Sequence, residues 1–488
     1  MTTRRISIDP ITRLEGHGKI EIFLNDSGEV ANCYFQVPEL RGFEKFVEGM
    51  PVEEVPRVVT RICGVCPAAH HLAAGKAVDA VYQVDPPTAA KKLRELFYAA
   101  HFMHSHIAHF YALAAPDFVL GPDASPEQRN ILGVIAKVGL DIGREVIKHR
   151  ALAQEIQTIV SGRSTHPVWT LPGGVSKGIT EEQRKDIITK AKSCLNFASF
   201  SLKLFDDVVL KNKTYVDLIM ADVFELDTYY IGTVDDKNLV NFYHGDHRVV
   251  DQAGKELLRY KDHEYLNHIR EHVERYTYLK FPYLKQIGWK GLVDGKDSGV
   301  YQSTPLSRLN AADGMATPLA QASYEQFYQT LGGKPVKKLL ATHWARLVEL
   351  LYAAERLFEL SSDPEVASPN VRTLPTAVPK EGIGMVEAPR GILTHHYATD
   401  ENGLVTKANL IVGTTNNHAP ISMAIKKAAQ KVILPGQPVG QGLLNRVEMA
   451  FRLFDPCFSC ATHSLPGSMP LEVEVLDHQG NLVHCEKQ

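Results

Sequence analysis

The sequence predicts an α+β fold, mainly helical, in which a bundle of long helices forms the core and small antiparallel sheets flank it. Three observations carry that expectation. Apolar residues recur at spacings of three and four through three successive stretches, 58–84, 89–115 and 128–159. They alternate with polar residues near the start, as in Lys19-Ile20-Glu21-Ile22-Phe23-Leu24, and again over 391–413. A chain of 488 residues with 44% hydrophobic content also has the apolar material for a large core, arranged in two or three lobes.

In chain order, residues 6–37 read as strands joined by the turn Asn25-Asp26-Ser27-Gly28. Between the first strands lies a loop, 9–18, that carries Glu15 and His17 among glycines. Taken alone, it is an ordinary turn with a solvated carboxylate. The three helical stretches follow, the first two separated by Pro86-Pro87, and Gly64, Cys66 and His70 fall at a helix start. Loop composition returns over 161–180, with Pro172-Gly173-Gly174 as a turn and Thr180 as the cap of a helix over 181–209. Residues 214–314 read as short strands and loops, with one helix over 264–278. A helix over 324–360, broken at 332–335, precedes the second alternating segment, whose turn is Asp400-Glu401-Asn402-Gly403. A last helix, 443–454, leads into Asp455-Pro456-Cys457. No internal repeat or low-complexity segment is present.

Composition narrows the function classes. With 53 basic and 56 acidic residues the net charge is -3, so no global field draws the chain to nucleic acid or to an anionic membrane. No apolar run reaches the length of a membrane span, and residues 1–11 lack the apolar core of a secretory signal. Seven cysteines is an odd number, and Cys33, Cys194 and Cys485 are scattered singly. That usage suits a reducing compartment better than a disulfide scaffold.

The other four cysteines form two C-x-x-C pairs. One lies in Arg61-Ile62-Cys63-Gly64-Val65-Cys66, with His70 and His71 just behind, and the other in Asp455-Pro456-Cys457-Phe458-Ser459-Cys460-Ala461-Thr462-His463. Such pairs suit a closed structural zinc site of four thiolates or a catalytic metal, and cysteines alone leave both open. Structural zinc pairs usually sit within a few dozen residues of each other, because the metal nucleates a small fold. Here most of the chain separates them, which requires a large fold holding the site from two sides and suits a catalytic centre better.

These two motifs resemble the signature motifs of the nickel-iron hydrogenase large subunit. The resemblance continues in Arg13-Leu14-Glu15-Gly16-His17, Arg41-Gly42-Phe43-Glu44 and Glu387-Ala388-Pro389-Arg390-Gly391, so five motifs stand in family order between the start and residue 463. It implies a large-subunit domain over 1–463 and the catalytic subunit of a hydrogenase that cleaves dihydrogen heterolytically and reversibly. By the resemblance, Cys63 and Cys457 are terminal thiolates on nickel, and Cys66 and Cys460 bridge nickel to an iron that carries cyanide and carbon monoxide. The proton passes to Cys457 and then to Glu15. His70 would donate to a bridging sulfur, Arg390 would lie over the metal site, and Thr414 in Val412-Gly413-Thr414 would hydrogen-bond a cyanide. Glu44 and His463 would hold a magnesium ion, Mg2+. Without the resemblance, His70 reads as a histidine satisfied at a helix interface and Arg390 as a surface charge. His71 has only the reading of a satisfied structural histidine.

One position departs from the respiratory members of the family, many of which carry an aspartate between two histidines where this chain has Ser105 in His104-Ser105-His106. The departure points to the cytoplasmic, cofactor-coupled branch, linked either to heterodisulfide reductase or to NAD, and removes the expected carboxylate of this helix from the site. Residues 464–488 read as a short hairpin, with strands in 471–475 and 481–484. The resemblance makes them a maturation peptide that a protease removes after His463 once nickel-insertion proteins have acted. Electrons must leave singly, and the chain has no further clustered cysteines for an iron-sulfur relay. An iron-sulfur small subunit is therefore expected against the face near the Cys63 helix, with further electron-transfer subunits of flavin/NAD or heterodisulfide-reductase type beyond it. Two other functions stand beside the hydrogenase: a structural zinc protein, and a non-catalytic coupling subunit like that of the related respiratory quinone reductase, whose members lack the four cysteines.

Overall fold

Three antiparallel strands open the chain in the order β1 (Arg4–Ile8), β2 (Lys19–Leu24) and β3 (Val30–Gln36). Alternation sets their faces, since Ile20, Ile22 and Leu24 are all buried. The computed structural model describes residues 4–463, 472–476 and 482–487.

The bundle is built from α1 (Pro67–Val81), α2 (Thr88–Ala108), α3 (Leu140–Ser161), α4 (Glu181–Phe205) and α5 (Thr342–Ser362). Helix α5 packs on α4 and α2, and α2 packs on α3. Thr180 starts α4 with a reciprocal capping box: its hydroxyl accepts from the backbone N–H of Gln183, whose side chain returns to the Thr180 N–H.

Four helical expectations are refined. The stretch 58–84 is broken. Two short helical turns, Val55–Val58 and Val59–Ile62, end at an extended Cys63, and α1 begins only at Pro67. Proline suits that first helical position because its missing N–H would be unpaired there anyway. The stretch 128–159 divides at Gly139, whose φ of 100° leaves the helical region. The stretch 89–115 stays helical, with a wide π turn at His109–Ala114 just before Pro116, and such a turn admits a residue that cannot donate. The helix expected over 264–278 is one turn, Tyr265–His268. Its remainder is the strand Ile269–Val273, paired with Lys280–Leu284, so cross-strand pairing prevails over local periodicity.

The middle of the chain holds a six-stranded sheet that is mixed, because Tyr301–Gln302 and Gly314–Met315 join it in parallel. Near the end, β4 (Glu381–Ala388), β5 (Gly391–Thr399) and β6 (Val405–Ile411) form an antiparallel sheet. Of these, β4 lay outside the alternation read from the sequence, as did the helix α6 (His418–Val432). Strand β4 lies directly on α1. A Cβ added to Gly384 would come within 2.3 Å of the Ala73 carbonyl oxygen and of the Ala77 nitrogen, so only glycine permits this approach. Helix α7 (Gln441–Arg452) then delivers the chain to its last cysteine pair. Beyond it, Glu472–Leu476 and Leu482–Lys487 pair antiparallel as expected, and the turn between them lies outside the described residues. Among the described residues no helix is long and apolar enough to cross a membrane.

Candidate metal centre

Two loops from opposite ends of the chain meet between the bundle and the sheets. The first runs from Cys63 to Cys66, where Cys66 caps α1 and the backbone N–H groups of Val65 and Cys66 donate to Cys63 Sγ at 3.2 and 3.0 Å. The second follows α7. Asp455 turns it with a φ of 54°, and the Cys457 N–H donates to Thr414 Oγ1 at 3.1 Å. The sulfurs pair across the loops, Cys63 with Cys457 at 3.5 Å and Cys66 with Cys460 at 3.7 Å. All four lie within 4.8 Å of one another and are buried. Among the described residues no other group of three or more histidine, cysteine or acidic side chains converges in this way.

The first loop of the chain closes the site from outside. The Glu15 N–H donates to the Pro456 carbonyl at 3.3 Å, and the Phe458 N–H donates to the Glu15 carbonyl at 2.9 Å. Cys457 Sγ then lies 2.9 Å from Glu15 Oε2, with the thiol as donor. Gly16 makes this seat possible. It has a φ of 86°, and a Cβ there would fall 2.6 Å from the Ser459 nitrogen. Arg41 ties the two cysteine loops together, donating to the carbonyls of Ile62 at 2.5 Å and Ser459 at 3.2 Å.

Arg390 is buried beside the thiols. Its Nη2 donates to Asp455 Oδ1 at 3.1 Å and its Nη1 to Ser105 Oγ at 3.3 Å. Burial opposes its charge, but Asp455 and the neighbouring cysteine sulfurs outweigh that and raise its pKa above the ordinary arginine value. Asp455, a motif residue to which the sequence assigns no role, thus supplies a carboxylate where position 105 has none. Its place directly before Pro456-Cys457 was the available signal.

The remaining residues divide. His70 Nδ1 lies 3.1 Å from His395 Nε2, while its own Nε2 is buried without a partner. Among the described residues no bond from His70 to a bridging sulfur is formed: Nδ1 meets His395 on β5 and Nε2 has no partner. Burial lowers the His70 pKa to about 4. His71 is a satisfied structural histidine. Its Nδ1 donates to the Pro56 carbonyl, and its Nε2 accepts from the N–H groups of Trp169 and Thr170. Glu44 accepts from the Leu410 N–H at 2.8 Å and lies 3.6 Å from Lys280 Nζ. The carbonyl of His463 accepts from the Glu44 N–H at 3.4 Å, and both ring nitrogens of His463 are buried without a partner among the described residues.

Four buried sulfurs converging from two loops are a soft donor set, and one arginine cannot neutralise four thiolates, so the set fits cationic metal. The family model for nickel-dependent hydrogenase matches residues 41–126 and 195–463, and a HoxL-like model matches residues 5–40. The chain belongs to the nickel-dependent hydrogenase family. It is 51% identical to the iron-sulfur subunit of an F420-non-reducing hydrogenase from Archaeoglobus profundus, over 98% of this chain and 99% of that one. It is 38% identical to the beta subunit of the NAD-reducing hydrogenase HoxS from Cupriavidus necator, over 99% of each. A crystal structure of an NAD+-reducing [NiFe]-hydrogenase in the H2-reduced state aligns with a TM-score of 0.88 and 35% identity, covering 94% of this chain and all of that one. With the four cysteines assembled, the chain is the catalytic large subunit of a hydrogenase, and the cluster fits a nickel-iron centre. The structural-zinc and non-catalytic readings fall away.

Proposed function

We propose that this hydrogenase subunit cleaves dihydrogen heterolytically and reversibly at the four-cysteine site and passes the electrons to an iron-sulfur partner subunit. The observation that carries this reading is Cys457 Sγ standing 2.9 Å from Glu15 Oε2 inside a cluster of four buried thiols. A nickel-iron centre with cyanide and carbon monoxide ligands would supply the redox chemistry that polarises and splits the substrate. Cys63 and Cys457 would be its terminal thiolates, and Cys66 and Cys460 its bridging ones.

The remaining steps belong to protein groups. Cys457 takes the substrate proton on sulfur and hands it to Glu15 across a hydrogen bond already in place. Arg390, held by Asp455 and Ser105, presents a fixed cation and leaves its Nε–H without a partner among the described residues. A donor so placed polarises a bound diatomic group without reorganising. The Thr414 oxygen is engaged by the Cys457 N–H, which leaves the hydroxyl proton to donate to a cyanide. His70 keeps its Nε2 without a partner among the described residues, which leaves that nitrogen available to donate to a bridging sulfur.

A magnesium ion at Glu44 and His463 fits the buried ring nitrogens of His463, which have no partner among the described residues. Lys280 beside Glu44 is also bonded to Glu271 and shares its charge between the two carboxylates. Residues 1–463 form the mature domain, and 464–488 are removed by a maturation protease after nickel-insertion proteins have acted. The relatives are named F420-non-reducing and NAD-reducing hydrogenases. That supports a cytoplasmic enzyme whose further electron-transfer subunits are of heterodisulfide-reductase or flavin/NAD type. Metal analysis of the purified complex tests the assignment. Nickel with iron in the large subunit supports it, and zinc alone refutes it.

A further inference from the structure

Glu387 opens the motif Glu387-Ala388-Pro389-Arg390-Gly391 and has no part in the chemistry above. Its side chain is fully buried, as are those of Arg308 and Glu349. Arg308 lies on the short helix Pro305–Ala311, and all five of its N–H donors are engaged. Its Nε donates to Glu349 Oε1, and its Nη2 reaches Glu349 Oε2 at 2.7 Å. Nη1 donates to Glu387 Oε2 and to the Ala388 carbonyl, each at 2.9 Å, and Nη2 donates to the Pro389 carbonyl at 3.4 Å. Glu349, on α5, also meets His106 Nε2 at 2.9 Å, and His106 is the neighbour on α2 of Ser105, which contacts Arg390. Two further side chains complete the grip. The Tyr98 hydroxyl donates to the Glu387 carbonyl, and Asn417 Nδ2 donates to the Arg390 carbonyl at 2.8 Å. The successive carbonyls of residues 387–390 thus each accept from a buried side chain.

We propose that Arg308 is a positioning residue for Arg390: fixed by Glu349 and Glu387, it holds the backbone that carries the Arg390 guanidinium beside the thiol cluster. The assignment rests on the role proposed above for Arg390. Arginine suits this task because its donors form a rigid planar fork, which fixes the direction of each bond as well as its length. Asp455 and Ser105 hold the guanidinium end of Arg390, while Arg308 and Asn417 hold its backbone end. A donor aimed at a reacting group loses much of its effect when it moves by about 1 Å, so both ends must be anchored. Stability alone does not account for the arrangement. Desolvation offsets most of what a buried charge network gains, and two bonds of Arg308 go to backbone carbonyls rather than to either acid.

The test uses the assembled, metal-loaded enzyme and compares Arg308→Lys with Arg94→Lys. Lysine keeps the positive charge but cannot serve both acids and both carbonyls at once. Arg94 is a buried arginine of the same kind, bonded to Asp79 and to the carbonyls of Leu171 and Gly174, away from residues 387–390. Arg308→Lys is expected to shift the infrared bands of metal-bound cyanide and to lower kcat for dihydrogen oxidation about tenfold or more, with KM within about twofold. Arg94→Lys, with a comparable loss in Tm, should leave the bands and kcat as in the wild type. Glu387→Gln keeps Arg308 but turns an amide N–H toward it or toward the Thr233 N–H, so it should reproduce the band shift and stands in if Arg308→Lys does not assemble. Wild-type bands and kcat in Arg308→Lys and Glu387→Gln, with both altered in Arg390→Lys, overturn the positioning role alone. The same changes in Arg94→Lys also overturn it, as a general loosening of the fold. Wild-type bands and kcat in Arg390→Lys overturn the role of Arg390, and the proposal with it.

Discussion

Arg390 and Asp455 form a buried ion pair against the thiol cluster, with Nη2 3.1 Å from Oδ1 and both side chains at most 6% exposed. Among the described residues the other hydrogen-bond partner of the guanidinium is the Ser105 hydroxyl, so Asp455 carries most of the charge balance. Removing one partner of a buried pair strands the other charge. Asp455→Ala is therefore expected to cost about 3 kcal/mol or more, and Ser105→Ala only about 1 kcal/mol. Calorimetric Tm values of the two variants should separate clearly, and equal values contradict this division.

The Glu15 carboxylate is the acceptor of the Cys457 thiol. Glu15→Gln keeps the size of the side chain but has no oxygen that can be protonated at working pH. Deuterium–proton exchange should fall by about a hundredfold or more with metal content unchanged, on the scale typical of a lost acid–base group. Exchange at the wild-type rate sinks the proton path.

Two glycines set close approaches that side chains would break. Gly16→Ala places a Cβ 2.6 Å from the Ser459 nitrogen at a φ of 86°, so the Glu15 loop must lift away from Cys457. Gly384→Ala pushes β4 off α1. The second change should destabilise by about 2 kcal/mol or more, as overpacking does. The first should depress dihydrogen activity beyond any change in Tm. Activity and Tm measured on both variants check the contrast.

His71 links stability to pH. Burial lowers its pKa to about 4 from the ordinary 6.5, and its Nε2 already accepts two backbone N–H groups, which leaves no place for a second ring proton. Between those two values the unfolded chain holds a proton that the folded chain refuses. The stability is therefore complete above pH 6.5 and drains away as the pH falls toward 4, by up to about 3 kcal/mol for this one residue. His418, bonded to the Lys280 carbonyl and lowered to about 3, acts in the same direction. Thermal unfolding followed from pH 7 down to 4.5 should show a falling Tm, and a flat profile contradicts the assignment.

The fold class, the opening sheet, the capped helix α4 and both cysteine loops were legible because each rests on local signals: periodicity, turn residues, a cap and a repeated spacing. The helix expected over 264–278 was misread because Ile269–Val273 takes its structure from pairing with Lys280–Leu284, which no local pattern announces. Strand β4 was missed for a related reason. Gly382 and Gly384 interrupt its alternation, and they are there to let α1 approach. At the site, residue types were readable but orientations were not. His70 places its Nδ1 on His395, and Asp455 and Ser105 meet on Arg390; both facts depend on contacts between segments far apart in the chain.

The four buried cysteines fit a nickel-iron centre. Infrared spectra of the assembled enzyme, wild type beside Cys66→Ser, test it most directly. Bands of metal-bound cyanide and carbon monoxide should appear in the wild type and be lost or displaced in the variant. A wild-type enzyme that oxidises dihydrogen without such bands, or bands unchanged in Cys66→Ser, would contradict the account.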